Sequence, residues 1–277
     1  MLKPVILFGC IFLFFSCVSS SPQFVEQEAP VPVVILPDTE KKSEIPSIID
    51  QSKSGHWITR SSDNTLVIIG VSNFMVRRDT EITAAKEDAA HKAAMYHGVH
   101  GTIESYHSAG ANFFDYAADL KVDLEYDTNL AVYIDRLTFD PERDVVITDE
   151  AVFVRFTYAA TVPSVDFTAS MNEGRPNWSY SRDLPQIDGY LTAVGFARNQ
   201  VRLKDTINKS IDAAIARMIE EVSTQIVSSD KAGTGMGASG QIYTRSEARL
   251  NNFQILEFWI DPNTRYVYTL AFAKKAN

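Results

Sequence analysis

The chain has 277 residues, a hydrophobic fraction of 45%, a charged fraction of 22% and a formal net charge of −9. That balance is globular, so the bulk of the chain is expected to bury real cores. An acidic chain repels phosphate backbones, which excludes nucleic acid as an expected partner. From the N-terminus, Lys3 supplies a positive start and Val5 to Phe15 is an almost unbroken apolar run. It spans roughly eleven residues, well short of the ~20 that a membrane-spanning helix needs. The small Ser16 then precedes Cys17. Charge, short apolar core and small residue predict a secretory signal peptide over residues 1–16.

The string Leu13-Phe14-Phe15-Ser16-Cys17 resembles a bacterial lipobox, with bulky residues of the relaxed, spirochaete type. The resemblance implies cleavage before Cys17 and acylation of its thiol. Cys10 and Cys17 are the two cysteines, so the mature chain would keep no free thiol, no disulfide and no thiolate metal site. An acyl chain is a better membrane anchor for an acidic protein than a basic patch. Val18, rather than Asp, follows the cysteine, which favours the outer membrane over the inner.

Residues 17–52 are rich in serine and proline, with Pro22, Pro30, Pro32, Pro37 and Pro46 spaced through acids and lysines. Such spacing blocks helix and sheet pairing and predicts a flexible tether. The apolar Val33-Val34-Ile35-Leu36 is the alternative, a docked first strand.

The folded part reads as two similar units, 53–163 and 186–277, joined by a linker over 164–185 that is rich in Ser, Asn, Arg and Pro. Each unit begins with an apolar strand holding an interior glycine, Thr65 to Val71 with Gly70 and Gly189 to Ala197 with Gly195. Each then offers a capping pair, Asp79-Thr80 or Asp205-Thr206. A helix is predicted from about Glu81 to Tyr96, rich in alanine and weakened at its end by Gly98 and Gly101. In the second helix, Ile207, Ile211, Ala214, Ile215, Met218, Val222 and Ile226 make one apolar stripe. Strands are expected at Leu120 to Tyr126, Leu130 to Phe139 and Ala151 to Thr161, and at Gln241 to Leu250, Phe253 to Ile260 and Arg265 to Ala273. Asp261-Pro262-Asn263-Thr264 makes a hairpin turn between the last two. The predicted class is α+β: strand, helix, then three antiparallel strands, twice.

Val194-Gly195-Phe196-Ala197, Ala213-Ala214, Phe258-Trp259-Ile260-Asp261 and Tyr266-Val267-Tyr268 together resemble the LPP-twenty lipoprotein family. They are also similar to the N-terminal domain of the flagellar T-ring assembly protein. The first unit matches more loosely, through Ile69-Gly70-Val71, Ala89-Ala90 and Val152 to Phe156, so tandem copies are expected. The resemblance implies an envelope lipoprotein with helix-on-sheet domains and no family-wide catalytic site.

No motif carries a reaction. Gly235 to Gly240 fits G-x-G-x-x-G but follows a helix and precedes a strand, the reverse of a nucleotide cradle. His91, His97, His100 and His107 crowd one segment without zinc-ligand spacing and read as a solvated helix end. Asp115, Asp119, Asp123, Glu125 and Asp127 form an acidic band facing away from Val122 and Leu124, as on a wetted sheet face. No catalytic residue, no metal and no cofactor is expected. Phe113, Phe114 and Tyr116 are the best candidates for a partner contact. A lipid-anchored, non-enzymatic protein that binds another envelope protein is the expected function. A ligand- or glycan-binding module is the alternative, and an enzyme the least favoured class.

Overall fold

The computed structural model describes residues 45–59, 65–108, 120–163, 165, 167–230 and 241–276. Glu44–Asn277 form one compact unit. The described chain opens with the helix α1 (Ile48–Ser54), whose first turn is capped by the Ser47 hydroxyl, 3.2 Å from the Asp50 N–H. Gly55 closes it in the left-handed region at φ +66°. Ile48 is 1% exposed, so the end of the stretch expected as tether is part of the fold. Then come β1 (His56–Ile58), β2 (Thr65–Asn73), α2 (Arg78–His97), β3 (Val99–Ser108) and β4 (Leu120–Glu125). They are followed by the single turn α3 (Ala131–Ile134), β5 (Leu137–Thr138), β6 (Val145–Ile147) and β7 (Ala151–Thr161). Two-residue strands β8 (Met171–Asn172) and β9 (Arg175–Pro176) lead to a 3-10 turn at Asn177–Tyr180. The last elements are β10 (Leu191–Ala197), α4 (Leu203–Asp230), β11 (Gln241–Ile260) and β12 (Val267–Lys275).

The class is α+β, as expected. One sheet runs β10-β12-β11-β3-β4, with β1 also on β11; a second runs β2-β7-β5, with β6 also on β7. All of these pairings are antiparallel. The division at 164–185 does not separate the sheets. β3, from the expected first unit, pairs with β11 from Val99↔Leu250 to Ser108↔Gln241. The strands expected at Gln241 to Leu250 and Phe253 to Ile260 are one strand, and its irregular register at Asn251/Gln254 and Ile255/Glu257 lets it bend between partners. Leu130 to Phe139 is not a strand: it forms α3 and the short β5. Tyr133 buries under this turn and its hydroxyl bonds to Asp127 at 2.8 Å.

The two long helices sit where two glycines admit them. A Cβ on Gly70 would lie 2.0 Å from the Ala85 carbonyl oxygen, and one on Gly195 would lie 1.8 Å from that of Ser210. Helix backbone thus rests on strand backbone in both places. In α2 the contact is spread by Ala85, Ala89, Ala90, Ala93 and Ala94, all fully buried. In α4 the predicted stripe holds, with Ile207, Ile211, Ala214, Ile215, Met218 and Val222 buried. Neither capping pair caps. The helices begin one to three residues earlier, at Arg78 and Leu203, which leaves Asp79 and Asp205 in the first turns. There a carboxylate still complements the helix dipole.

β7 buries both its faces. Val152, Val154, Phe156 and Tyr158 pack under α2, while Ala151 and Phe153 join the core of α4 and the larger sheet. Trp57 stacks on Phe153 at 4.0 Å and on Phe258 at 5.6 Å, bridging the two sheets. The stretch read as a linker is ordered cover. Trp178 is 1% exposed and packs with Val194, Leu256, Leu270 and Phe272 on the sheet face opposite α4.

Candidate functional site

Alternation in β10 and β12 divides the larger sheet's side chains. Ala193, Gly195 and Ala197, with Val267, Ala271 and Ala273, face α4. Val194 and Phe196, with Tyr268, Leu270 and Phe272, face the other way. The Trp178 segment covers this second face over Val194, Leu270 and Phe272 but stops short of one end. There the rings continue as a ladder. Tyr266 meets Phe196 at 5.3 Å, Phe196 meets Tyr268 at 5.1 Å, and Tyr268 meets Trp259 at 5.5 Å. The Arg175 guanidinium lies 4.7 Å from the Tyr268 ring centre and 3.7 Å from that of Tyr180. Phe196, Tyr266, Tyr268 and Arg175 are half-buried, and Tyr180 is 50% exposed.

Beneath the ladder lies a buried acid. Glu257, fully buried, accepts from Trp178 Nε1 at 2.8 Å and stands 2.8 Å from His56 Nε2. These bonds tie the covering turn and β1 to β11. Arg175 Nε also donates to the Ser179 hydroxyl at 2.7 Å, which holds the guanidinium over the rings. Ladder and network are therefore rigid, and the rings are presented at little entropic cost.

Other polar groups serve the frame. Asp88 and Lys92, 3% and 6% exposed, pair at 2.7 Å and close the open edge of β2. Lys92 Nζ donates to the Ile69 carbonyl at 2.7 Å and the Val71 N–H donates to Asp88 at 2.9 Å. Burial pushes the Asp88 carboxyl up, but Lys92, Lys204 and the Val71 N–H together hold it below the usual carboxylate range. At the end of α2, His97 Nε2 lies 2.7 Å from the Tyr158 hydroxyl. Burial, helped by the Arg136 charge, lowers the His97 pKa. Burial and the Asp127 carboxylate push Tyr133 up to about 12. A narrow gap with room for about one water lies between β2 and β11, lined by Leu66, Ile69, Ile207, Phe253, Gln254 and Phe258 among others. Gln254 Oε1 is buried there without a hydrogen-bond partner.

Of the residues singled out in the sequence, Cys17, Phe113, Phe114, Tyr116 and the Gly235 to Gly240 loop lie outside the described residues, as do Asp115, Asp119 and the alternative strand Val33 to Leu36. Asp123 and Glu125 are exposed on β4. The histidines are not one helix end. His91 sits within α2 against Tyr126 at 5.9 Å, His97 ends the helix, and His100 and His107 are on β3. Among the described residues, no three His, Cys, Asp or Glu side chains stand where they could hold a metal ion. The ladder was half legible, since Phe258-Trp259 and Tyr266 to Tyr268 stand out as dense aromatics. Arg175 and Tyr180 were hidden in the stretch read as a linker.

Searches of the curated proteins and of the solved structures found no match. The family model described as LPP20 lipoprotein matches residues 176–273. That span begins inside the expected linker, at the start of the Trp178 turn, and takes in β10, α4, β11 and most of β12. Over this stretch, with its helix on one sheet face and its aromatic ladder on the other, the chain is similar to the LPP20 lipoprotein family.

Proposed function

We propose that this is a lipid-anchored, non-catalytic envelope protein that binds another envelope protein through the ladder Tyr266–Phe196–Tyr268–Arg175–Tyr180. The observation that carries the reading is that these side chains are pre-positioned yet half uncovered. Tyr and Arg held rigid at a surface are the residues that dominate protein contacts. Cleavage after Ser16 and acylation of Cys17 supply the anchor, with the outer membrane favoured. The paired strand–helix steps at Gly70 and Gly195 are read as divergent copies of one unit, the first of which has lent β3 and β4 to the sheet of the second.

The test is the triple variant Phe196→Ser, Tyr266→Ser, Tyr180→Ser in the full-length lipoprotein, cross-linked in cells. A stoichiometric envelope partner of the parent is expected to be lost while the thermal midpoint stays close to the parent's. Retention of the same partner at the same yield would place the contact elsewhere.

A further inference from the structure

The loops that lead into the two long helices combine exposed apolar tips with arginines. In the first, Phe74 and Met75 are 49% and 48% exposed and Val76 is fully exposed, followed by Arg77 and Arg78. In the second, Val201 is fully exposed between Arg198 and Arg202. Val76 and Val201 bury nothing in the fold, and a run of three apolar residues half or fully exposed is unusual at a loop tip.

The two loops project from the same end of the molecule. β2 ends at Asn73, paired with Ala151 at the start of β7. The neighbouring Glu150 forms an ion pair with Arg265 in the last hairpin, and that hairpin opens β12 at Val267, the partner of Ala197 at the end of β10. The helices that follow run in the same sense where they meet. Asp88 reaches Lys204 at 3.6 Å and Asn208 at 3.4 Å, and one turn on, His91 packs on Tyr126, whose hydroxyl feels the charge of Asp212. In the first loop the arginines are locally balanced, Arg77 by Asp79 and Arg78 by Glu81. In the second, Arg198 and Arg202 pair with no carboxylate among the described residues. The second loop thus carries two cations without an acidic partner among the described residues beside its exposed apolar tip.

We propose that these two loops touch the anionic headgroup layer of the membrane, with Phe74, Met75, Val76 and Val201 entering the interface and Arg198 and Arg202 meeting lipid phosphates. Exposed apolar side chains flanked by cations are the composition that binds such an interface, and single loop tips enter a soft layer more readily than they fill a protein groove. The contact orients the protein; it does not replace the acyl anchor. It bears on the lipoprotein reading but is tested without the anchor.

The chain from residue 17, carrying Cys17→Ala so that no acyl group is present, is floated with vesicles of phosphatidylcholine alone or mixed with phosphatidylglycerol. It is expected to float with the mixed vesicles only, less so as salt is raised. Phe74→Ser with Val76→Ser and Val201→Ser, and separately Arg198→Glu with Arg202→Glu, are each expected to weaken binding roughly tenfold or more. These side chains are exposed, so thermal midpoints should match the parent. No flotation with the mixed vesicles, or equal flotation of parent and both variants, overturns the proposal. Absence of acylation at Cys17 in cells would overturn the anchor and leave this result standing.

Discussion

Gly195 shows how much one missing side chain decides. A Cβ there would meet the Ser210 carbonyl at 1.8 Å and the Ala214 nitrogen at 2.4 Å, both backbone atoms that cannot rotate away. Gly195→Ala is expected to cost about 3 kcal/mol or more in urea denaturation, because α4 must lift off β10. Gly174→Ala, with open space around it but φ at +81°, should cost only about 1 kcal/mol. Equal costs would mean that backbone contact is not what places the helix. The interior glycines were legible as signs of close approach; that the neighbour is a helix carbonyl was not. Asp212 is the second residue whose setting the sequence hid. Burial pushes its carboxyl up to about 6, against the pull of Lys209. The folded state therefore holds this proton more tightly than the unfolded chain, so the group favours folding as pH falls from about 6 towards 4 and opposes it at neutrality. Asp212→Asn should raise stability at pH 7 by about 1–2 kcal/mol, after allowing for its partial solvent access, and change little near pH 4. An unchanged or lowered stability at pH 7 would contradict the burial argument.

At the scale of elements, periodicity was readable wherever a side chain packs against its own neighbours. The α4 stripe and the α2 alanines follow from spacing alone. Pairing between distant strands did not follow, because β3 and β11 carry nothing that names each other. Residues 164–185 have the composition of a loop, and they do lack long elements; Trp178 makes them cover instead of connector. The edge of β2 is a further case. Lys92 and Asp88 stand one helical turn apart, the spacing of an ordinary surface pair, yet here they close a strand edge inside the protein. Asp88→Asn leaves the Lys92 charge buried beside a neutral amide and should cost about 3–5 kcal/mol. Adding Lys92→Met to it should recover a large part of that loss, since the double variant buries no charge. If the losses simply added, the pair would not be acting as one unit.

For the whole molecule, the two helix-on-sheet halves are joined by β7, buried on both faces, and by one tryptophan bridge, so neither is expected to unfold alone. Denaturation followed at Trp178 in one half and by far-UV signal overall should give a single midpoint. The lower half of the larger sheet's outer face is closed by the Trp178 cover and the upper end is left to the aromatic ladder. The claim that this opening exists for a partner is tested most directly by photo-crosslinking. A photoreactive residue is placed at Tyr266 in the full-length protein in living cells, with Ile147, exposed at 53% on β6, as the control position. The account expects one discrete cross-linked envelope protein from Tyr266 and none from Ile147. The same faint background from both positions would contradict it and reduce the ladder to packing that happens to reach the surface.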